Sequence, residues 1–149
     1  MVDADHSARR RVLIVDDDPE LIGLITDGLE LAGGYEVVAA RDGATGFERF
    51  FEVQPDCVVV DVRMPGLNGY QFVRALRGDP ATAQTPVIVL SALVQERHAW
   101  AGLVSGADVY LFKPVKMAEL LQAIRTAIQM TAAERQQRWS PLLSDTPEE

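Results

Sequence analysis

Four apolar runs in this chain each stop at a polar side chain able to do chemistry. Val12 to Val15 is followed at once by Asp16, Asp17 and Asp18, and Cys57 to Val60 by Asp61. Val87 to Leu90 is followed by Ser91, and Val109 to Phe112 by Lys113. Carboxylates gathered on one rim repel one another, which raises the pKa of at least one of them. A divalent cation relieves that repulsion. Mg2+ suits the donor set, being a hard ion that takes carboxylate oxygens, keeps several waters and is completed by a phosphate. With two histidines and one cysteine in the whole chain, a zinc or copper site fits poorly. A carboxylate such as Asp61 can attack phosphorus and become an aspartyl phosphate. The charge developing on the phosphoryl oxygens then calls for Mg2+, a cation and a hydrogen-bond donor, roles open to Mg2+, Lys113 and Ser91.

Each residue also has an ordinary structural explanation. Asp16 to Asp18 can be a helix N-cap cluster. Asp61 can be a turn residue, Ser91 a cap, Lys113 a solvated lysine and Tyr110 core filling. Their common register, each at the end of an apolar run, is what weighs against these explanations taken together. Cys57, Met64 and the phenylalanines read as core. His6 and His98 have no partners at metal or catalytic spacing, and Arg9 to Arg11 reads as a solvated entry to the first strand.

The elements that must hold these residues are legible from pattern. The four apolar runs are rich in β-branched residues and read as strands buried on both faces. Tyr35 to Ala39 reads as a further short strand. Asp18-Pro19 starts a helix carrying Leu21, Leu24, Ile25, Leu29 and Leu31, ended by Gly33-Gly34. Asp42-Gly43 leads into a helix with Phe47, Phe50 and Phe51. Met64 to Gly69 reads as a loop, and Phe72, Val73 and Leu76 mark the next helix. A helix is expected around Ala99 to Val104. The last helix starts near Lys116 and carries Leu120, Leu121, Ile124 and Ile128.

Strand and helix thus alternate five times, the signature of a parallel sheet covered on both faces. Right-handed crossovers favour a flavodoxin-like three-layer α/β sandwich with strand order 2-1-3-4-5. In that order strands 1, 3, 4 and 5 are neighbours, so Asp16, Asp17, Asp61, Ser91 and Lys113 converge at the carboxyl ends of the strands. The expected division is a flexible tail over 1–10, one domain over 11–129, and a helix extension or tail over 130–149 with no output domain. Ala132, Arg135 and Trp139 continue the helical spacing of Ile124 and Ile128, which predicts a last helix running to about Trp139. An exposed tryptophan there would invite a partner or a second copy of the chain, a homodimer.

Composition limits the function classes. The chain has 149 residues, 48% of them hydrophobic, enough for a real core without disulfides. Fourteen basic against 22 acidic residues give a net charge of −8, which argues against nucleic-acid binding and against an anionic membrane surface. No apolar run is long enough to span a bilayer, and the polar start is no secretory signal. A cytoplasmic protein is the expectation.

VLIVDDDP, VVVDVRMPGLNG, VIVLSA and GADVYLFKPV, in that order, resemble the four signatures of the receiver domains of two-component response regulators. The resemblance covers about 12–128. It implies Asp61 as phosphoacceptor, and Asp16 and Asp17 as the acidic pair around Mg2+, with Asp17 the more direct ligand. Asp61 itself and the backbone carbonyl of Arg63 would complete the protein ligands. It implies Ser91 and Lys113 on the phosphoryl oxygens, Tyr110 as an aromatic switch, and a cis Lys113-Pro114 peptide. The function implied is a signalling switch charged by a histidine kinase or a histidine phosphotransfer protein and read by an unnamed downstream protein. Asn68 stands where the family frequently has Asp, and Asp18 makes a triple-Asp run that leaves ligand assignment open. Two alternatives stand beside it. One is a haloacid-dehalogenase-like phosphatase using the Asp-x-Asp spacing of Asp16 and Asp18, the other a degenerate receiver serving as a scaffold. Nucleotide or flavin binding fails because the first strand-helix loop is acidic and lacks Gly-x-Gly-x-x-Gly.

Overall fold

The computed structural model describes residues 9–92 and 106–137. Its strands are β1 (Arg10–Val15), β2 (Tyr35–Ala40), β3 (Cys57–Asp61), β4 (Val87–Ser91) and β5 (Val109–Phe112). Its helices are α1 (Pro19–Ala32), α2 (Gly43–Val53), α3 (Gly69–Arg77) and α4 (Met117–Gln129). All neighbouring strands are parallel, in the order β2-β1-β3-β4-β5. The expected helix at Ala99 to Val104 lies outside the described residues, as do His6, His98 and Trp139.

The pleat divides the core. Val12 and Ile14 point to one face and Leu13 and Val15 to the other. On the first face Ile25 and Leu29 of α1 meet Leu120 and Ile124 of α4. On the second, Phe50 of α2 and Phe72, Val73 and Leu76 of α3 cover the strands, with Phe47 stacked on Phe72 at 4.2 Å between ring centroids. Both faces being covered explains why the strands are apolar throughout rather than alternating.

Helix starts follow their caps. Asp18 accepts from the Glu20 amide ahead of Pro19, and Asp42 from the Thr45 amide. Asn68 and Gln71 form a reciprocal capping box at the start of α3. Gly33 closes α1 at a positive φ of 83°.

Three expectations are corrected. The core stripe of α1 is Leu21, Ile22, Ile25 and Leu29, whereas Leu24 and Leu31 face outward, Leu31 at 91% exposure. Seven residues apart, those two share the solvent side of the helix. Phe51 is 61% exposed, touching Phe50 edge-on, so it is no core residue. The last helix does not run on to Trp139: α4 stops at Gln129 and Met130 takes an extended conformation. A new helical turn over 132–137 then begins behind a reciprocal cap, with Thr131 Oγ1 accepting from the Glu134 amide and Glu134 Oε1 from the Thr131 amide.

Candidate functional site

Each site residue sits where a strand ends, because only there can a charged side chain leave a sheet buried on both faces. β1 delivers Asp16, which is buried, and then Asp17, which is exposed. β3 delivers Asp61, 4% exposed, and β4 the buried Ser91. Lys113 follows β5, its amide donating to the Ser91 carbonyl at 2.8 Å, and the Lys113-Pro114 peptide is cis. Lys113 Nζ lies 2.9 Å from Asp61 Oδ1 and 3.6 Å from Asp16 Oδ2.

Asp16, Asp17 and Asp61 each bring one carboxylate oxygen within 4.8 Å of the others. Asp18 is not in this group: its side chain caps α1, while its amide donates to Asp16 Oδ1 at 2.9 Å. The triple-Asp run is thereby resolved into two cluster members and one helix cap. Asp17 and Arg63 line one cleft of about 460 Å3 with Val62, Met64, Pro65 and Asn68. Tyr110 is half-buried and packs against the core on the α2-α3 face.

Burial drives the electrostatics. It pushes the Asp61 pKa up to about 6, with Asp16 adding to the rise and Lys113 opposing it. It raises Asp16 as well, against the Asp18 amide and the Lys113 charge. For Lys113, burial works against the ammonium, but its contacts with Asp61 and Asp16 outweigh it and raise its pKa. Among the described residues Asp16 Oδ2 is buried without a hydrogen-bond partner, facing only the Lys113 charge at 3.6 Å. A buried, unsatisfied carboxylate oxygen beside two more carboxylates fits a hard, hydrated cation, and the all-oxygen donor set favours Mg2+ over softer metals.

A second polar cluster escaped the sequence reading. On the underside, at the amino ends of the strands, Asp108 is fully buried and accepts from Arg77 Nη2 at 3.2 Å, Arg135 Nε at 2.7 Å and the Val87 amide at 2.8 Å. The spacing of Arg135 read as a continuation of the last helix beyond Ile124 and Ile128. The legible signal was Thr131-Ala132-Ala133-Glu134, a helix-start pattern that breaks the periodicity.

The model of the response regulator receiver domain family matches residues 12–125. The DNA-binding dual master transcriptional regulator RpaA of Synechocystis is 40% identical over 121 residues, 81% of this chain and 50% of that protein. The transcriptional regulatory protein PrrA of Mycobacterium leprae is 41% identical over 123 residues, 83% of this chain and 52% of that protein. The chain thus spans about half the length of these curated relatives. Among solved structures, a putative response regulator of Chloroflexus aurantiacus superposes with a TM-score of 0.75 at 30% identity, covering 82% of this chain and 99% of its own. The receiver domain of a Pseudomonas aeruginosa sensor histidine kinase, solved with a magnesium ion in its active-site cleft, gives 0.74 at 29% identity, covering 83% and 100%.

These relatives correct the expectation of no nucleic-acid partner. RpaA is a DNA-binding regulator that matches this chain over only half its own length. The net charge of the matched half therefore says nothing about what the rest of such a protein contacts. For the membrane, the finding is narrower: among the described residues, no helix is long and apolar enough to cross a bilayer.

Proposed function

The chain belongs to the receiver domain family of response regulators, and from that premise we propose that its phosphorylation-dependent switching runs through Asp61. The observation that carries this reading is Lys113 Nζ at 2.9 Å from Asp61 Oδ1, with Asp16 and Asp17 beside it. An ionised Asp61 oxygen attacks phosphorus, and the bond from phosphorus to the donor breaks with its electron pair leaving on the donor. A phosphohistidine of a histidine kinase or phosphotransfer protein is the donor chemistry proposed. Lys113 and the Ser91 hydroxyl would bind the phosphoryl oxygens as charge develops there. Asp16, Asp17, Asp61 and the Arg63 carbonyl would hold Mg2+, which when bound neutralises charge on the phosphoryl group. Attack of water on the same phosphorus returns Asp61 to the carboxylate, so the domain would catalyse only its own charging and discharging. Residues 11–129 are proposed as the unit that does this.

The phosphatase alternative loses its basis, because Asp18 is engaged in capping α1. A degenerate scaffold would not need the assembled acidic cluster and lysine.

Intact mass after incubation with Mg2+ and acetyl phosphate tests the reading. Wild type gains the mass of one phosphoryl group, dependent on Mg2+, and Asp61→Asn gains none. An adduct that survives in Asp61→Asn and vanishes in Asp16→Asn overturns the assignment. For the switch, phosphoryl oxygens draw in Ser91 and Tyr110 turns inward. Ser91→Ala then leaves uptake largely intact while shrinking the chemical-shift response of Tyr110 to Mg2+ and beryllofluoride.

A further inference from the structure

Three elements span the distance between the acidic rim and the underside. β4 carries Ser91 at its carboxyl end, while its first residue, Val87, donates to Asp108. β5 lies between Asp108 and Lys113. α3 starts at Gly69, against the Asp61 carbonyl, and ends at Arg77. Arg77 is anchored several times over: Nε donates to the Gly106 carbonyl at 2.7 Å and Nη1 to those of Thr85 and Ala83 at 2.6 and 3.0 Å.

Arg135 is held differently. Its guanidinium meets Asp108, the Ala127 carbonyl at 2.9 Å and Gln84 Oε1 at 3.4 Å. It is 2% exposed, yet every other residue from 131 to 137 is exposed. Arg135 is thus the one buried side chain in the segment 131–137, a strap, and an element with little buried surface belongs to the low-stability end of a fold. Its departure does not strand a buried carboxylate, because Asp108 keeps Arg77. Burial, with the Arg135 charge adding to it and Asp108 opposing, holds the Arg77 pKa down to about 10, so departure of Arg135 also relieves a contact between like charges.

We propose that Asp108, Arg77 and Arg135 form a latch that docks the strap 131–137 in the uncharged protein and releases it when Asp61 carries a phosphoryl group. The proposal rests on the reading of Asp61 as phosphoacceptor. Phosphoryl oxygens bound by Ser91 and Lys113 draw β4 and β5 toward the rim. That moves Asp108 at their far ends, and its bond to Arg135 is the one the network can give up. The bias comes from contacts made in one state only, as any ligand-driven shift requires. The output is a change in the position of the strap itself, 131–137.

Amide hydrogen exchange, resolved by residue, tests this on the full chain with Mg2+, with and without beryllofluoride. The expected result is exchange across 132–137 that is protected without beryllofluoride and about tenfold faster with it. Arg77→Lys keeps the charge but loses the fork, so it should leave the response of Ser91 and Lys113 in place and shrink that of the strap. Arg135→Gln should expose the strap fully without beryllofluoride. A strap unmoved by beryllofluoride while Ser91 and Lys113 respond overturns the coupling. A strap still protected in Arg135→Gln overturns the latch. If Ser91 and Lys113 themselves fail to respond, the phosphoacceptor reading fails, and the coupling with it.

Discussion

At the scale of single residues, Asp61 sets a pH signature. Its pKa of about 6 lies above the ordinary carboxylate value, chiefly because it is buried. The folded protein then binds that proton more tightly than the unfolded chain does. The contribution of Asp61 to stability is therefore full at low pH and lost as pH rises through roughly 4 to 6. Mg2+ held as proposed by the ionised cluster would offset this loss. The melting temperature should rise with Mg2+, relative to chelator, more at about pH 7.5 than at about pH 5. Equal increments at both pH values would count against Asp61 as the group concerned. The convergence of Asp16, Asp17, Asp61 and Lys113 was legible because a sheet buried on both faces lets polar side chains emerge only at its ends. Which of Asp16 to Asp18 caps the helix was not, since a cap and a cluster member can be the same residue type. Asp108 was missed for a related reason: a buried carboxylate is recognisable only by its partners, and Arg77 and Arg135 are distant in sequence.

At the scale of elements, α3 is seated against the site by a residue without a side chain. A Cβ on Gly69 would collide with the Asp61 carbonyl oxygen and lie 2.9 Å from Val62 Cα, both of them backbone. Neither neighbour can rotate away, so Gly69→Ala must displace either the start of α3 or the end of β3. Overpacking of this kind costs about 1–3 kcal/mol. The variant should show that loss in urea unfolding and a slower phosphoryl uptake from acetyl phosphate, because Asp61 shares the displaced backbone. Stability within about 0.5 kcal/mol of wild type would show that the contact relaxes freely. Among the described residues, strand and helix starts were read from apolar runs, caps and glycines to within a residue or two. The end of α4 was not, because the spacing of Ile124, Ile128, Ala132 and Arg135 suits one continuous helix. Periodicity registers which side chains share a face and is blind to a break that restarts the same pattern, whereas the Thr131 and Glu134 cap marks it.

At the scale of the whole molecule, the described fold has two polar clusters: the acidic rim with Lys113, and the underside where Asp108 ties the sheet to α3 and to the strap. Overall composition, averaged over both, conveys neither. The second cluster predicts an ordering of mutational costs. Asp108→Asn removes the carboxylate that the Arg77 and Arg135 guanidiniums share, a change that costs about 3–5 kcal/mol. The amide can still accept from the Val87 amide, so the loss is one of charge rather than of shape. Arg135→Gln removes only one of the two cations and lets the strap swing into water, and its cost should stay near the 1 kcal/mol typical of point substitutions. Urea unfolding of the two variants measures the difference. Replacing Arg77, Asp108 and Arg135 together by Met, Leu and Met should recover most of what Asp108→Asn loses, since a well-packed apolar set often substitutes for a buried ion cluster without loss. If Arg135→Gln proves as damaging as Asp108→Asn, the strap is an integral part of the core and Asp108 is no hub.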